Sequence, residues 1–310
     1  MVPSRITLSQ PEGPFSMSAK TTRDGILLMI LAVFLFTAMD AVAKGLIARY
    51  PAPQVIWARF AGQALIVALL LGPRMGPLLR TNHPWLHVLR SAFQFLATGF
   101  FFLSLAYIGL PEATALADTS PVLITLGAAL FLGERLGPRR LFGVIAALVG
   151  ALIIIRPGAG VFSLAALLPL ANAVAYAGNA LLTRHIGLKE PFWTSLMYGA
   201  LFGVIVGGVA LPFVWVTPSL PDLGLFFLVG CLGSAAQLCI IRSFSTVEAS
   251  VVAPFTYLGI VFSTGWSIAF FNDWPDLYTV VGASVIVSAG LYVWHRETQA
   301  ARAAEARKTA

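Results

Sequence analysis

Asp118-Thr119-Ser120-Pro121 places a carboxylate, two hydroxyls and a residue with no backbone N–H inside an apolar run. Proline breaks the helical ladder and frees a carbonyl about one turn earlier, near Ala117. A carboxylate, hydroxyls and an open carbonyl at one point can hold a polar solute. Alternatively the segment is a kinked helix whose Asp118 is satisfied by Thr119, Ser120 or a neighbouring span. Asn172, Tyr176 and Asn179 recur at spacings of four and three, one polar stripe on one helical face. Such a stripe is unfavourable against lipid, so it should face other helices or a cavity. Asp40 and Lys44, four apart, are spaced to pair. Either they form an ion pair near a span end, or Asp40 borders the cavity as a proton-sensitive group. Arg59 lies in the next apolar run, as an interfacial cation or as a partner for Asp40 or a substrate carboxylate.

These groups do not form a bond-breaking set. His83 and His87 are four apart, but Pro84 lies between them and no third ligand type is near, so they read as an interfacial loop and no metal is expected. Asp273-Trp274-Pro275-Asp276 is the nearest thing to a carboxylate pair and sits in a tight loop. There is no nucleotide-binding P-loop. An enzyme and a bound cofactor are therefore not expected.

The elements that must position these residues follow from composition. Of 310 residues, 58% are hydrophobic and 11% charged, against about 25% charged in soluble domains. A bilayer solvates such a surface and asks that backbone groups bond within each span, so an all-α membrane protein is expected. Apolar runs fall near 25–43, 53–72, 88–107, 111–132, 140–155, 162–183, 193–216, 222–241, 249–271 and 276–294, giving ten spans. The net charge of +7 comes in short clusters between spans, a topology signal rather than a nucleic-acid surface. Sixteen Lys and Arg, Arg90 among them, lie on the side of both termini against three (Lys44, Arg49, Arg156) on the other, so both termini are expected to be cytoplasmic. Residues 1–24 read as a disordered cytoplasmic tail and 296–310 as a second cytoplasmic tail.

The halves repeat. Residues 112–150 can be laid over 248–289 with one short gap, setting Glu112 on Glu248, Glu134 on Asp273 and Gly143 on Gly282. Five spans per copy make the second copy inverted, so 25–156 and 157–295 are expected to form two inverted-topology repeats (5+5). Inverted repeats suit alternating access about a site near the midplane.

At these residues the chain resembles the EamA family of the drug/metabolite transporter superfamily. The resemblance rests on Asp40-Ala-Val-Ala-Lys44, Glu112-Ala-Thr-Ala, Pro121, Leu132-Gly133-Glu134, Gly143, Gly150, Glu248-Ala and Ala253-Pro254-Phe255, and covers about 25–295. In the second copy Asn272-Asp273 stands where the family has Gly-Glu. The resemblance implies a bacterial inner-membrane transporter of small metabolites, with amino-acid export and riboflavin uptake as its two readings. It also implies a site formed by the first, third, fourth, sixth, eighth and ninth spans. On that basis Gln94, Tyr107, Gln237, Thr256, Tyr257 and Trp266 join Asp118, Thr119, Ser120, Pro121, Asn172, Tyr176 and Asn179 as lining candidates. Asp40, Lys44, Arg59 and Glu134 are candidates for coupling or gating. The partners expected are a small solute and the bilayer, with the chain a monomer or weak homodimer.

Overall fold

The computed structural model describes residues 19–72, 76, 81, 83–132, 138–156, 164–186, 190, 192–247 and 249–309, and no strand occurs among them. The helices are α1 (Ala19–Ile47), α2 (Ala52–Leu71), α3 (Pro84–Ser104), α4 (Leu110–Ala117), α5 (Ser120–Leu132), α6 (Pro138–Ile155), α7 (Leu167–Ile186), α8 (Phe192–Val214), α9 (Leu220–Thr246), α10 (Ala249–Val252), α11 (Leu258–Phe271) and α12 (Leu277–Thr309). A 3-10 turn, Ala253–Tyr257, joins α10 to α11. Seven helical stretches among the described residues are long and apolar enough to cross a membrane: Thr22–Ile47, Ala52–Leu71, Pro84–Ser104, Trp193–Val214, Leu220–Ser243, Ala253–Phe271 and Leu277–Arg296. Shorter apolar stretches occur in α6 and α7. Leu141, Phe142, Ile145, Leu148, Val149 and Leu152 of α6 face outward, as a lipid-solvated surface requires.

Proline sets many of the boundaries. Pro53, Pro84, Pro111 and Pro221 occupy first-turn positions, where the missing N–H costs no helical bond. The same property divides the fourth and ninth apolar runs. Pro121 restarts the chain as α5 after a turn at Asp118-Thr119, and Pro254 lies in the 3-10 turn. Asn272 ends α11 in the left-handed conformation (φ 51°), its N–H reaching the carbonyls of Ile268 and Ser267. Two helices run past their expected ends. α1 begins at Ala19, and α12 continues to Thr309 through an Ala-, Arg- and Glu-rich stretch of strong helix formers.

α1 and α9 run antiparallel. Ser243 Oγ donates to Gly25 O at 2.7 Å at one end, and Tyr50 donates to Asp222 at 2.8 Å at the other. Ser243 is fully buried. Ser243→Ala is therefore expected to lower stability by about 1 kcal/mol, the range of interhelical hydrogen bonds in membranes, as read from thermal unfolding in detergent. An unchanged melting curve would show that the bond contributes nothing.

The packing has a pattern. α1 lies on α9 as α3 lies on α7, α2 on α9 as α3 on α8, and α1 on α11 as α7 on α4 and α5. α2 meets α8, α4 meets α11, and α6 meets α12. Exchanging α1 with α7, α2 with α8, α3 with α9, α4–α5 with α11 and α6 with α12 returns the same set. The register agrees. Gly143 packs on Ala289 and Val293, while Gly282 packs on Gly150 and Ile154. Setting 143 on 282 carries one pair of contacts onto the other. The main buried core joins α1, α2, α3, α4 and α9 through Met39, Leu46, Val55, Phe60, Phe102 and Leu110.

Candidate functional site

The two helix breaks lie on neighbouring elements, α4 packing on α11. Asp118 caps α4, its N–H bonding the carbonyls of Leu116 and Thr114. Its side chain is held where no helical turn continues beside it. Thr119 Oγ1 donates to Leu116 O at 2.7 Å and Thr125 Oγ1 to Pro121 O at 3.0 Å, so these hydroxyls are satisfied within their own segment. Asp118 Oδ2 is buried and has no hydrogen-bond partner among the described residues. The carboxylate acts electrostatically on Tyr176 of α7 and Tyr257 of the 3-10 turn. Tyr257 lies against Gly290 of α12, where any side chain would collide with the hydroxyl. Tyr176 keeps 51% of its surface accessible. A buried carboxylate with an unpartnered oxygen at a helix break can take a hydrogen-bond donor or cationic group from a solute.

The polar stripe of α7 divides its work. Asn172 Nδ2 donates to Ala97 O at 2.8 Å and Asn179 Nδ2 to Arg90 O at 2.9 Å, stitching α7 to α3. Tyr176, between them, is left to meet Asp118. Gln94 faces Gly199 of α8, where an added Cβ would lie 2.6 Å from its Oε1. Trp266 donates to Thr37 Oγ1 at 3.2 Å and rests on Phe34 and Phe270, so it belongs to the α1–α11 seam. Tyr107 is exposed in the turn after α3, and Gln237 is half-buried on α9.

The charges pair differently from their sequence spacing. Lys44 does not pair with Asp40, one turn away. Its Nζ lies 3.0 Å from Asp273 Oδ2, and Ser267 Oγ donates to the same oxygen at 3.3 Å. Arg156 pairs with Asp276 and covers the Tyr278 ring at 4.1 Å. Asp273 and Asp276 thus each have a cation, and their tight loop is an ion-pair cluster at the end of the bundle where α1 finishes. Arg49 and Asp222 add a pair at 2.6 Å at the same end. Asp40 instead acts electrostatically on Arg59, which is 7% exposed. Glu134 and Glu248 lie outside the described residues.

Two residues of α3 depart from the sequence reading. Arg90 is a buried side chain of the bundle rather than a span-end charge. It is 7% exposed and donates through Nη2 to Ser195 O. His87 belongs to a helix rather than a loop, is fully buried, and stacks 5.1 Å from Tyr198 with Nδ1 3.4 Å from Ser195 Oγ. Pro84 carried the signal: a first-turn proline makes 84 onward helical, and His87, Arg90, Gln94 and Ala97 then share one face.

A bundle of long apolar helices, broken beside a buried carboxylate oxygen with no partner among the described residues, is the build of a membrane transporter. Residues 23–156 and again 163–294 match the EamA-like transporter family, and the chain belongs to that family, within the drug/metabolite transporter superfamily. It is 33% identical over 273 residues to the pseudopaline exporter CntI of Pseudomonas aeruginosa, covering 86% of this chain and 94% of that one. It is 33% identical over 283 residues to a riboflavin transporter of Rhizobium johnstonii, covering 90% and 93%. It is also 28% identical over 281 residues to an S-adenosylmethionine uptake transporter of Rickettsia bellii, covering 91% and 97%. One solved crystal structure shares the fold at a TM-score of 0.59 and 20% identity, over 87% of this chain and 96% of that one. The protein is a membrane transporter of small metabolites and not an enzyme.

Proposed function

We propose that this transporter is a ten-span carrier of two inverted five-span repeats, 25–156 and 157–295, flanked by cytoplasmic tails at 1–24 and 296–310. In this reading α4 and α5 cross the bacterial inner membrane together as one broken span, as do α10, the 3-10 turn and α11. Both termini are cytoplasmic, and the protein works as a monomer or weak homodimer. The packing that maps onto itself on exchange of the halves supports alternating access. The solute is an amino acid or amino-acid-like metabolite, exported from the cytoplasm. The unpartnered Asp118 carboxylate beside Tyr176 and Tyr257 carries this reading, since it suits an ammonium or other hydrogen-bond donor. Riboflavin is the second reading, because the accessible Tyr176 offers a face to a flat ring.

Flux into and out of proteoliposomes tests both, with radiolabelled threonine, methionine, phenylalanine and riboflavin. Saturable amino-acid flux is expected. Asp118→Asn should lower it about tenfold, the effect of one charge-assisted hydrogen bond. Glu112→Gln should stay within about twofold, since Glu112 is a first-turn residue bonded to the Gly109 N–H. Equal wild-type activity in both variants would remove Asp118 from the site, and riboflavin flux alone would move the protein to the second reading.

A further inference from the structure

Arg59 is a charged side chain that the fold buries without satisfying. It lies seven residues into α2, which begins at Ala52, and Asp40 lies seven residues before α1 ends at Ile47. At 1.5 Å rise per residue both sit about 10 Å inside the span ends. A guanidinium at that depth is rare unless it faces a partner or a solute path. Among the described residues, Arg59 Nε and Nη1 have no hydrogen-bond partner, although the side chain is 7% exposed. Asp40 is its electrostatic counterpart, but no hydrogen bond or close ion pair joins them among the described contacts.

Glycines face this group and its neighbours. Gly233 of α9 lies opposite Arg59, and a Cβ there would come within 2.8 Å of Met39 Sδ and 3.8 Å of Arg59 Nε. One turn away on each helix, Gly62 and Gly230 bring α2 and α9 into backbone contact. The crossing thus holds the helices together beside Arg59, whose Nε and Nη1 are enclosed without an acceptor among the described residues. A guanidinium with unpaired N–H groups selects a planar anionic acceptor, and a carboxylate fits that description.

We propose that Arg59 is the specificity-determining residue that binds a carboxylate of the transported solute, and that Asp40 balances its charge when no solute is bound. This rests on the carrier reading above and narrows its substrate class to solutes bearing a carboxylate. It is separate from the Asp118 site, which recognises donors. Solute carboxylate and Asp40 then compete for one guanidinium. An ion pair that merely tied α1 to α2 would show no such competition.

The test measures binding to the detergent-purified full chain by calorimetry, with three probes. Methionine has both charges, N-acetylmethionine only the carboxylate, and methioninamide only the ammonium. The wild type is expected to bind methionine about tenfold or more tighter than methioninamide, which keeps the ammonium and lacks only the carboxylate, the scale of a hydrogen bond to a charged group. Arg59→Gln should bring those two within about twofold of each other and weaken N-acetylmethionine about tenfold or more. Arg59→Lys, which keeps the charge on a different geometry and guards against misfolding, should give an intermediate ratio. Asp40→Asn should tighten N-acetylmethionine binding several-fold by removing the competitor. A wild type that binds methioninamide as well as methionine overturns the assignment and leaves amino-acid export standing. N-acetylmethionine binding that depends on Arg59, without methionine flux, keeps the assignment and overturns amino-acid export. No binding of any probe overturns the assignment.

Discussion

Gly62→Ala is expected to destabilise the protein by about 3 kcal/mol or more, beyond the ordinary cost of overpacking a core. A Cβ at 62 would lie 2.5 Å from the Gly230 Cα, and one at 230 the same distance from the Gly62 Cα. Both contacts are backbone to backbone, so no side chain can rotate away and the helices themselves must separate. Lipid offers little hydrophobic drive to bring helices together, so close approach through small residues is what holds such a crossing. Gly265→Ala on α11 is the matched control. Nothing lies within 4 Å of its added Cβ, and the change should be neutral or stabilising by up to about 1 kcal/mol through helix propensity. Thermal unfolding of the two variants in detergent gives the comparison, and similar melting temperatures for both would refute the crossing argument.

Asp273→Lys should slow transport about tenfold. The carboxylate joins the loop before α12 to α1 through Lys44 at 3.0 Å and receives Ser267 Oγ at 3.3 Å. A lysine there sets two cations against each other and removes the acceptor of a buried hydroxyl. The pair itself is partly exposed, with Lys44 at 15% and Asp273 at 41% side-chain accessibility. Its neutral removal should therefore matter little, within about 1 kcal/mol, and charge reversal is the sharper perturbation. Reversing both charges, Lys44→Asp with Asp273→Lys, should restore most of the rate. The state of this end can be read independently of flux. Ser267 is fully buried, so Ser267→Cys in a background with Cys231 and Cys239 replaced should resist a polar maleimide. Adding Asp273→Lys should make it react. A single reversal with wild-type flux and no new labelling would mean that the pair does not hold this end closed.

Much of the helical layout was legible in the chain. Continuous apolar runs placed a helix or a broken helix over each stretch, and Pro121 marked the interruption of the fourth run, while the break at Pro254 emerged only in the fold. These are local effects: a missing N–H acts within one turn. The register of the repeat was legible too, because Gly143 and Gly282 are read directly from two similar strings and their contacts agree. Of the residues singled out in the sequence, Asp118 Oδ2 is buried without a partner among the described residues. Asn172 and Asn179, on one polar stripe, are bonded to α3 carbonyls instead. Helical periodicity reports which residues share a face, but not whether the neighbouring helix offers an acceptor there.

The sequence by itself determined the membrane class, the helical elements, the break at Pro121 and the family, because each depends on composition or on residues close along the chain. Only the tertiary structure decided the partners of the charges. Lys44 reaches Asp273 across 229 positions rather than Asp40 across four. Arg59 is buried near Asp40 with two nitrogens unpartnered, and Arg90 and His87 are enclosed where a polar span end was expected. In a low-dielectric bundle an ionic group settles by competition among all helices that reach it, and that competition is resolved by packing, which spacing along one helix does not encode.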